Sequence, residues 1–413
     1  MTARKKTKKV SSQPLSPRFL FLQNGLYSAH GHWLPEVKAW RKATMDAGME
    51  WHCFAHTDLL PDLVQEAGAK PVIPFLPGQV RRGLSPIHRL EAFMDGAERL
   101  PAILKKHYPG EPRSSDVLYV GYATDVEMIG VARWLQGLKA DRRPKVAFVI
   151  HHPSHEWKVN VNDLSIQGDA HRWIYAAEQL SNSSPNIRFF GVIPALSKEL
   201  SKVMRVPFST ISFNCPTSEE FNPDDIQPSH HVGILGGSRT EQGVAHYPAI
   251  LRALKSLRPE LRVLLQAQPG RQEQALRDIW KKDGTDGMVS MFSNTGTAVD
   301  HLGRIASCHL ILLPYLPEYY CLRGSGIFWD SSSVGRPVIA SAQTSMGRMI
   351  LAGLSSGLVF PRMDPSGIAE TVCDGLSRIN NLGRQAMDLR LGWRRRLSTE
   401  FLLKELLASF DKS

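Results

Sequence analysis

LLPYLPEYYCLRGSGIFWDSSSVGRPVIAS, residues 312–341 of a 413-residue chain, decides the fold. It reads as an apolar strand, a loop carrying Arg323, a Gly324-Ser325-Gly326 turn, a helix starting near Ile327, Gly335 as its stop, and a second strand opening at Pro337. Strand, crossover helix and strand at this spacing form the repeating unit of a parallel sheet covered by helices. The two glycines let backbone amides approach an anion at the helix N-terminus, and Arg323 and the Ser325 hydroxyl supplement those amides. Asp330 lies about one turn further in, where a carboxylate suits the two vicinal hydroxyls of a ribose.

The same alternation runs outward in both directions. Downstream of a break it predicts strands at 231–236, 261–268, 288–292, 309–316, 337–341 and 357–360, with helices at 243–257, 272–282, 297–307 and 327–334. Upstream it predicts strands at 18–25, 50–56, 71–76, 116–123, 145–152 and 186–194, with helices that include 34–48, 126–138 and 169–181. Around 208–231 the pattern lapses into Pro, Ser, Asn and Asp, as expected where two domains join. The expected organisation is a basic tail at 1–14, a first domain at 15–207, a linker at 208–230, a second domain at 231–385 and a C-terminal helix at 386–413. Two doubly wound, Rossmann-like α/β domains arranged this way face a central cleft at the carboxyl ends of their strands, where open sheets bind ligands.

Bulk composition agrees with this class. At 413 residues, 42% hydrophobic and 22% charged, the chain exceeds what one core serves and is ordinary for a globular protein. Lys and Arg outnumber Asp and Glu by 50 to 39, and the excess gathers at Arg4, Lys5, Lys6, Lys8 and Lys9 and at Arg394, Arg395 and Arg396. A solvated tail is the plain reading of the first cluster, and an anionic membrane surface is the candidate partner for both. Nucleic acid is not expected, because the charge is terminal rather than aligned on one motif-bearing element. Five cysteines without a CxxC pair indicate reduced thiols rather than a disulfide framework or a zinc site. No run approaches the ~20 apolar residues of a spanning helix, and residues 1–20 lack a signal-peptide core, so the expectation is a cytoplasmic protein.

A second anion signal stands at 231–244, HVGILGGSRTEQGV: a strand, a Gly236-Gly237 turn, Arg239 as a bidentate fork for phosphate, and an expected helix start. A Gly-Gly pair after a strand is by itself often only a turn. Together with residues 312–341, through Gly335-Arg336-Pro337-Val338-Ile339, the segment resembles the donor half of the retaining GT-B glycosyltransferases of family-4 type. That resemblance extends over most of 231–375 and implies a nucleotide-sugar donor, no separate cofactor and no metal. Two positions depart from the family pattern. Gln242 stands where the family has a phosphate-neutralising lysine, which leaves that task to Arg239, and Leu322 stands eight positions before Asp330 where a first acid is usual, with Glu318 the nearest carboxylate. Tyr320, Arg323, Ser325 and Gly326 reproduce the loop of a family subset. A nucleotide-sugar epimerase, or a catalytically silent GT-B protein that binds a partner, are the competing readings.

In the first half, QNGLYSAHGHW at 23–33 follows the first strand and brings Gly25, Gly31, His30 and His32 to the cleft side. The resemblance implies that Gly31 and His32 contact the acceptor. His151-His152-Pro153-Ser154-His155 follows another strand, but adjacent residues on extended chain point apart and no ligand partner is suitably spaced, so a metal is not expected. The resemblance instead puts His151 or His152 near the donor sugar. Asp125 and Glu156 are carboxylates that border the cleft, and the ordinary reading of Asp125 is an N-cap for the helix at Val126. Asp224-Asp225 follows no strand and is not read as a metal motif. By resemblance the acceptor is a saccharide, a lipid-linked saccharide of a bacterial envelope, or a protein.

Overall fold

A computed structural model describes residues 16–28, 33–74, 85–154, 157–212, 221–293 and 296–411. Strands β1 (Arg18–Gln23), β2 (Glu50–His56), β3 (Ala69–Ile73), β4 (Val117–Val120) and β5 (Lys145–Ile150) are followed by a small hairpin, β6 (Lys158–Val159) and β7 (Ile166–Gln167), then by β8 (Ile187–Gly191) and β9 (Phe208–Thr210). After the crossing come β10 (His230–Ile234), β11 (Val263–Ala267), β12 (Val289–Ser293), β13 (Cys308–Leu313), β14 (Val338–Ser341) and β15 (Gly357–Phe360).

These strands form two parallel sheets, ordered β3-β2-β1-β4-β5-β8-β9 and β12-β11-β10-β13-β14-β15. Apart from the antiparallel β6–β7 hairpin, every ladder is parallel. Helices cover both faces, so central strands such as β1, RFLFLQ, are buried at all six positions and read as unbroken apolar runs. This is the expected α/β class: two doubly wound, Rossmann-like parallel sheets. In each sheet the order reverses beside its first strand, between β1 and β4 and between β10 and β13.

Three expectations about the chain's course need correction. Residues 208–210, assigned to the linker, form β9 and extend the first sheet, with Phe208 opposite Phe189. The helix expected from Gly243 starts at Tyr247, after two short 3-10 turns. Gly243 breaks it with φ +78°, and a Cβ there would meet the Pro314 carbonyl at 2.1 Å. The terminal helix is two helices, Ile379–Leu397 and Thr399–Phe410, because Ser398 leaves the first and its hydroxyl caps the second by accepting from the Phe401 amide.

That last helix returns to the first domain. Arg188 Nε donates to the Ser409 carbonyl at 2.8 Å, and the Phe410 ring receives Arg188 and Lys145 at 5.5 Å. Arg394 donates to the Ser333 carbonyl, while Arg395 and Arg396 lie over the rings of Phe401 and Trp393. No helix among the described residues is long and apolar enough to cross a membrane.

The first sheet is anchored at its amino end by a buried ion pair. Arg18 is 2% exposed and Asp116 is fully buried, and they join through Nε–Oδ1 at 3.1 Å and Nη2–Oδ2 at 2.7 Å. Tyr108 Oη and the Arg113 amide also donate to Asp116 Oδ2. Removing one partner strands the other charge in the core. Asp116→Ala is therefore expected to destabilise the first domain by about 3–5 kcal/mol, read from the urea midpoint.

Candidate functional site

In the second sheet the chain leaves β10 into residues 235–239 and leaves β13 into residues 314–325, so the two loops flank the point where strand order reverses. This is where a doubly wound sheet opens a crevice. Gly236, Gly237 and Ser238 all have positive φ, 119°, 82° and 51°, which turns the first loop sharply over the strand ends. A Cβ on Gly236 would stand 2.6 Å from Gln242 Nε2 and 2.9 Å from Tyr315 Oη, so only glycine fits.

Gln242 explains that crowding. It is 2% exposed; its Oε1 accepts from the Arg239 amide at 3.1 Å, and its Nε2 donates to Tyr315 Oη at 3.3 Å. A main-chain bond from the Leu316 amide to the Glu241 carbonyl at 3.1 Å completes the tie between the loops. On the β11 side, Gln266 Oε1 accepts from the Gly236 amide at 2.9 Å. The side chain found in place of the family's lysine is thus a buried bracket.

The tie brings two arginines to one carboxylate. Glu241, itself buried, has Oε1 at 3.6 Å from Arg239 Nε and 3.9 Å from Arg323 Nη1. Arg323 also lies 5.2 Å from the centre of the Tyr320 ring. Just beyond it, helix Gly326–Val334 is capped by Ser325, whose Oγ accepts from the Phe328 amide. Gly324 is packed against the Trp329 indole, 2.2 Å from where a Cβ would sit, whereas nothing lies within 4 Å of the corresponding position on Gly326. The helix start therefore offers amides and open approach to an anion.

Asp330, one turn along this helix, has Oδ2 3.1 Å from His301 Nε2 on helix Ala298–Ala306. Leu322 is 1% exposed and cannot present a group to a ligand, while Glu318 sits exposed on the short helix Pro317–Tyr320. The structure thus gathers Gly236, Gly237, Arg239, Arg323, Gly324, Ser325 and Gly326 around one switch point, with Asp330 one turn along the helix that begins there. Sequence reading missed Glu241 and His301 as members. Glu241 lay inside a quoted segment, but its arginine neighbours meet only after folding, and nothing near His301 marks it.

The first sheet repeats the geometry between β1 and β4. Tyr122, after β4, stacks flat on His151, after β5, with centroids 3.7 Å apart and an 8° interplanar angle, and the Trp33 ring meets Tyr122 edge-on at 4.1 Å. His151 Nε2 donates to the Gly121 carbonyl at 2.7 Å, which fixes its tautomer. His152 turns instead to the Pro153 carbonyl in its own loop.

Asp125 is not the N-cap. Thr124 is, in a capping box with Glu127, whose Oε2 accepts from the Thr124 amide at 2.8 Å. Asp125 opens the helix and binds Arg172 Nε at 2.9 Å. Asp224 forms a two-bond pair with Arg390 on the C-terminal helix. His30, Gly31, His32, His155 and Glu156 lie outside the described residues. Among the described residues no group of three or more His, Cys, Asp or Glu is placed to hold a metal ion.

Solved glycosyltransferases share this arrangement of two sheets, the expected GT-B fold. Over 96% of its length the chain resembles a glycosyltransferase from Rickettsia africae, with TM-score 0.67, 11% identity and 98% of that chain covered. It resembles a TarM mutant from S. aureus in complex with fondaparinux, alpha-GlcNAc-glycerol and UDP, with TM-score 0.64, 8% identity and coverage of 95% and 98%. It also resembles Anabaena HepE in complex with UDP-glucose, with TM-score 0.60, 11% identity and coverage of 96% and 100%. No family profile and no curated protein sequence matches the chain. At such identities the likeness establishes the fold, shared end to end.

Beneath the first-domain switch point lies a buried acid with a measurable signature. Glu36 is 2% exposed on helix Trp33–Asp46 and accepts from Gln23 Nε2 at 3.2 Å, while Gln23 Oε1 accepts from the Gly25 amide. Burial pushes the Glu36 carboxyl up from 4.5 to about 8. The folded state therefore holds a proton that the unfolded chain releases, and the associated stability is present below about pH 4.5 and lost as pH rises toward about 8. Glu36→Gln, neutral at every pH, is expected to flatten that decline. Unfolding free energies from urea titrations near pH 5 and pH 8 should converge in the variant and differ by a few kcal/mol in the parent.

Proposed function

We propose that the protein is a retaining glycosyltransferase that takes a sugar from a nucleoside-diphosphate donor bound in the second domain. The acceptor, a glycan, a lipid-linked saccharide or a protein, lies against the first domain in the cytoplasm. The observation that carries this reading is the convergence of Arg239 and Arg323, from the two loops of the switch point, on the buried Glu241 carboxylate beside a capped helix start. Two guanidinium groups, loop amides and a helix dipole supply the charge a diphosphate needs, so donor binding calls for no metal. The similar structures solved with UDP and UDP-glucose support a nucleotide-sugar as the ligand class.

Chemistry follows from charge development. As the glycosidic bond breaks, negative charge gathers on the leaving diphosphate and positive charge on the sugar ring. Preorganised arginines and amides stabilise the first without reorganising. The departing phosphate oxygen takes the proton of the acceptor hydroxyl arriving on the same face, which yields retention with no protein nucleophile. His151, its ring fixed by the Gly121 carbonyl and Tyr122, is the first-domain group assigned to the reacting sugar. Basic residues 4–9 fit an acceptor presented at an anionic membrane surface, at about 1 kcal/mol for each Lys or Arg near it.

A silent binding protein is the second reading, favoured by Leu322 buried where the family has an acid. Donor turnover separates the two. UDP, GDP or ADP at about 100 Kd should raise the unfolding free energy by about 2.7 kcal/mol. Hydrolysis or transfer of the matching nucleotide-sugar should fall by about 100-fold or more in Arg323→Ala at unchanged unfolding midpoint. Binding without turnover supports the silent reading, and no binding of any of the three nucleotides overturns both.

A further inference from the structure

The loop that carries Arg323 leaves β13, which lies in the sheet between β10 and β14. Its first residues are tied to the β10 side through Gln242 and Glu241, and its end is held from the β14 side. β14 stops at Ser341, and the chain turns at once into the short helix Ser345–Leu351. Thr344 seats that helix: its Oγ1 accepts from the Gly347 amide at 3.1 Å and donates to the Ser341 carbonyl at 2.7 Å. Gly347 lets the helix lie close, because a Cβ there would stand 2.0 Å from the same Ser341 oxygen. Ser345 and Arg348, three residues apart, share one helix face, and both reach the Arg323 loop. The buried Ser345 Oγ donates to the Arg323 carbonyl at 2.5 Å. Arg348 Nη2 donates to the Cys321 carbonyl, and its Nη1 donates to the Gln343 carbonyl at 2.8 Å.

We infer that Arg348 and Ser345 are positioning residues of the donor site, which hold Arg323 in its binding orientation before any ligand arrives. The inference rests on the donor-site reading above. Bonded to the carbonyls of Cys321 and Arg323, they fix the peptide groups before Leu322 and after Arg323. With its backbone held on both sides, Arg323 keeps its guanidinium over the Tyr320 ring and near Glu241. Arg348 is half-buried, and its hydrogen bonds go to two main-chain carbonyls and, among the described residues, to no carboxylate. Joining carbonyls of two separate segments takes the planar fork of a guanidinium, which the point charge of a lysine does not reproduce. A loop ordered in advance spares the ligand the entropy of ordering it on binding.

The test uses the full chain, titrated with inorganic pyrophosphate, UDP, GDP and ADP, and follows amide hydrogen exchange in the Arg323 loop as a readout that needs no ligand. Arg348→Lys keeps the charge and loses the fork. Ser345→Ala removes a single hydroxyl and carries the test should Arg348→Lys fail to fold. Each variant is expected to quicken exchange in the loop and to weaken the best-bound nucleoside diphosphate by about 10-fold, the equivalent of one hydrogen bond. Because both residues act through Arg323, adding either substitution to Arg323→Ala should change affinity by less than about 2-fold. A general folding defect would instead lower the unfolding midpoint and cost a further 10-fold, roughly, in that background. Parent-like affinity in the single variants, or an undiminished loss on top of Arg323→Ala, overturns the positioning role and leaves the donor site standing. Failure of pyrophosphate and of every nucleoside diphosphate to bind the parent protein overturns the donor site and this inference together.

Discussion

One neutral side chain holds the second-domain site in shape. Gln242 is buried between two loops that leave different strands, and it satisfies the Arg239 amide with one end and the Tyr315 hydroxyl with the other. An unpaired buried polar group costs about 1–3 kcal/mol, so each loop is held to the position that keeps these bonds made. Because that position leaves no room for a Cβ at Gly236, the glycine turn, the bracket and the tyrosine specify one another. An ammonium in the same place would cost more to desolvate than this amide does. Glutamine at 242 therefore gives rigidity to the loop that carries Arg239.

The charge arrangement depends on that rigidity. Glu241 is mostly buried, and a carboxylate removed from water needs nearby cations. It has two, at 3.6 and 3.9 Å, which is more positive charge than one carboxylate neutralises. At these separations both arginines keep donors to offer an incoming ligand. Positive charge is held in advance at the mouth of the crevice, in groups that need little reorganisation to meet an anion. Glu241 thereby places one buried carboxylate near both arginines, a neighbourhood that neither arginine could be assigned from its own sequence context.

Legibility in the sequence tracked the range of the interactions involved. The two sheets were readable because burial on both faces leaves strands such as RFLFLQ as uninterrupted apolar runs, and because glycines and capping residues punctuate the turns and helices that connect them. Gly335 as a helix stop is local and stands as read, while Ser325, read only as a supplement to the anion-binding amides, is the cap of that helix. Where a tertiary contact decided the outcome, local reading failed. Gly243 looked like the start of a helix but is held in a positive-φ turn by the Pro314 carbonyl, 71 positions away in a strand exit that no spacing rule connects to it. Asp125 looked like a cap because Asp often is one, yet Thr124 with Glu127 three residues on forms the better capping box, and Arg172 from another helix takes the aspartate.

The first-domain site shows why its half was harder to read although its topology is the same. Its residues come from three strand exits, Trp33 after β1, Tyr122 after β4 and His151 after β5, and they interact through ring faces rather than through charge. A phosphate site advertises itself by glycines and arginines at fixed offsets from a helix start, because amide geometry and helix dipole demand them. A wall of stacked rings demands only that aromatic residues occupy strand ends, which many buried strand ends also do. The bond from His151 to the Gly121 carbonyl separates this histidine from His152 beside it, and that bond exists only because β4 and β5 are neighbours in the sheet. The second-domain loops are thus encoded locally and the first-domain ring cluster by register, so the second half can be read from its loops while the first has to be read from its sheet.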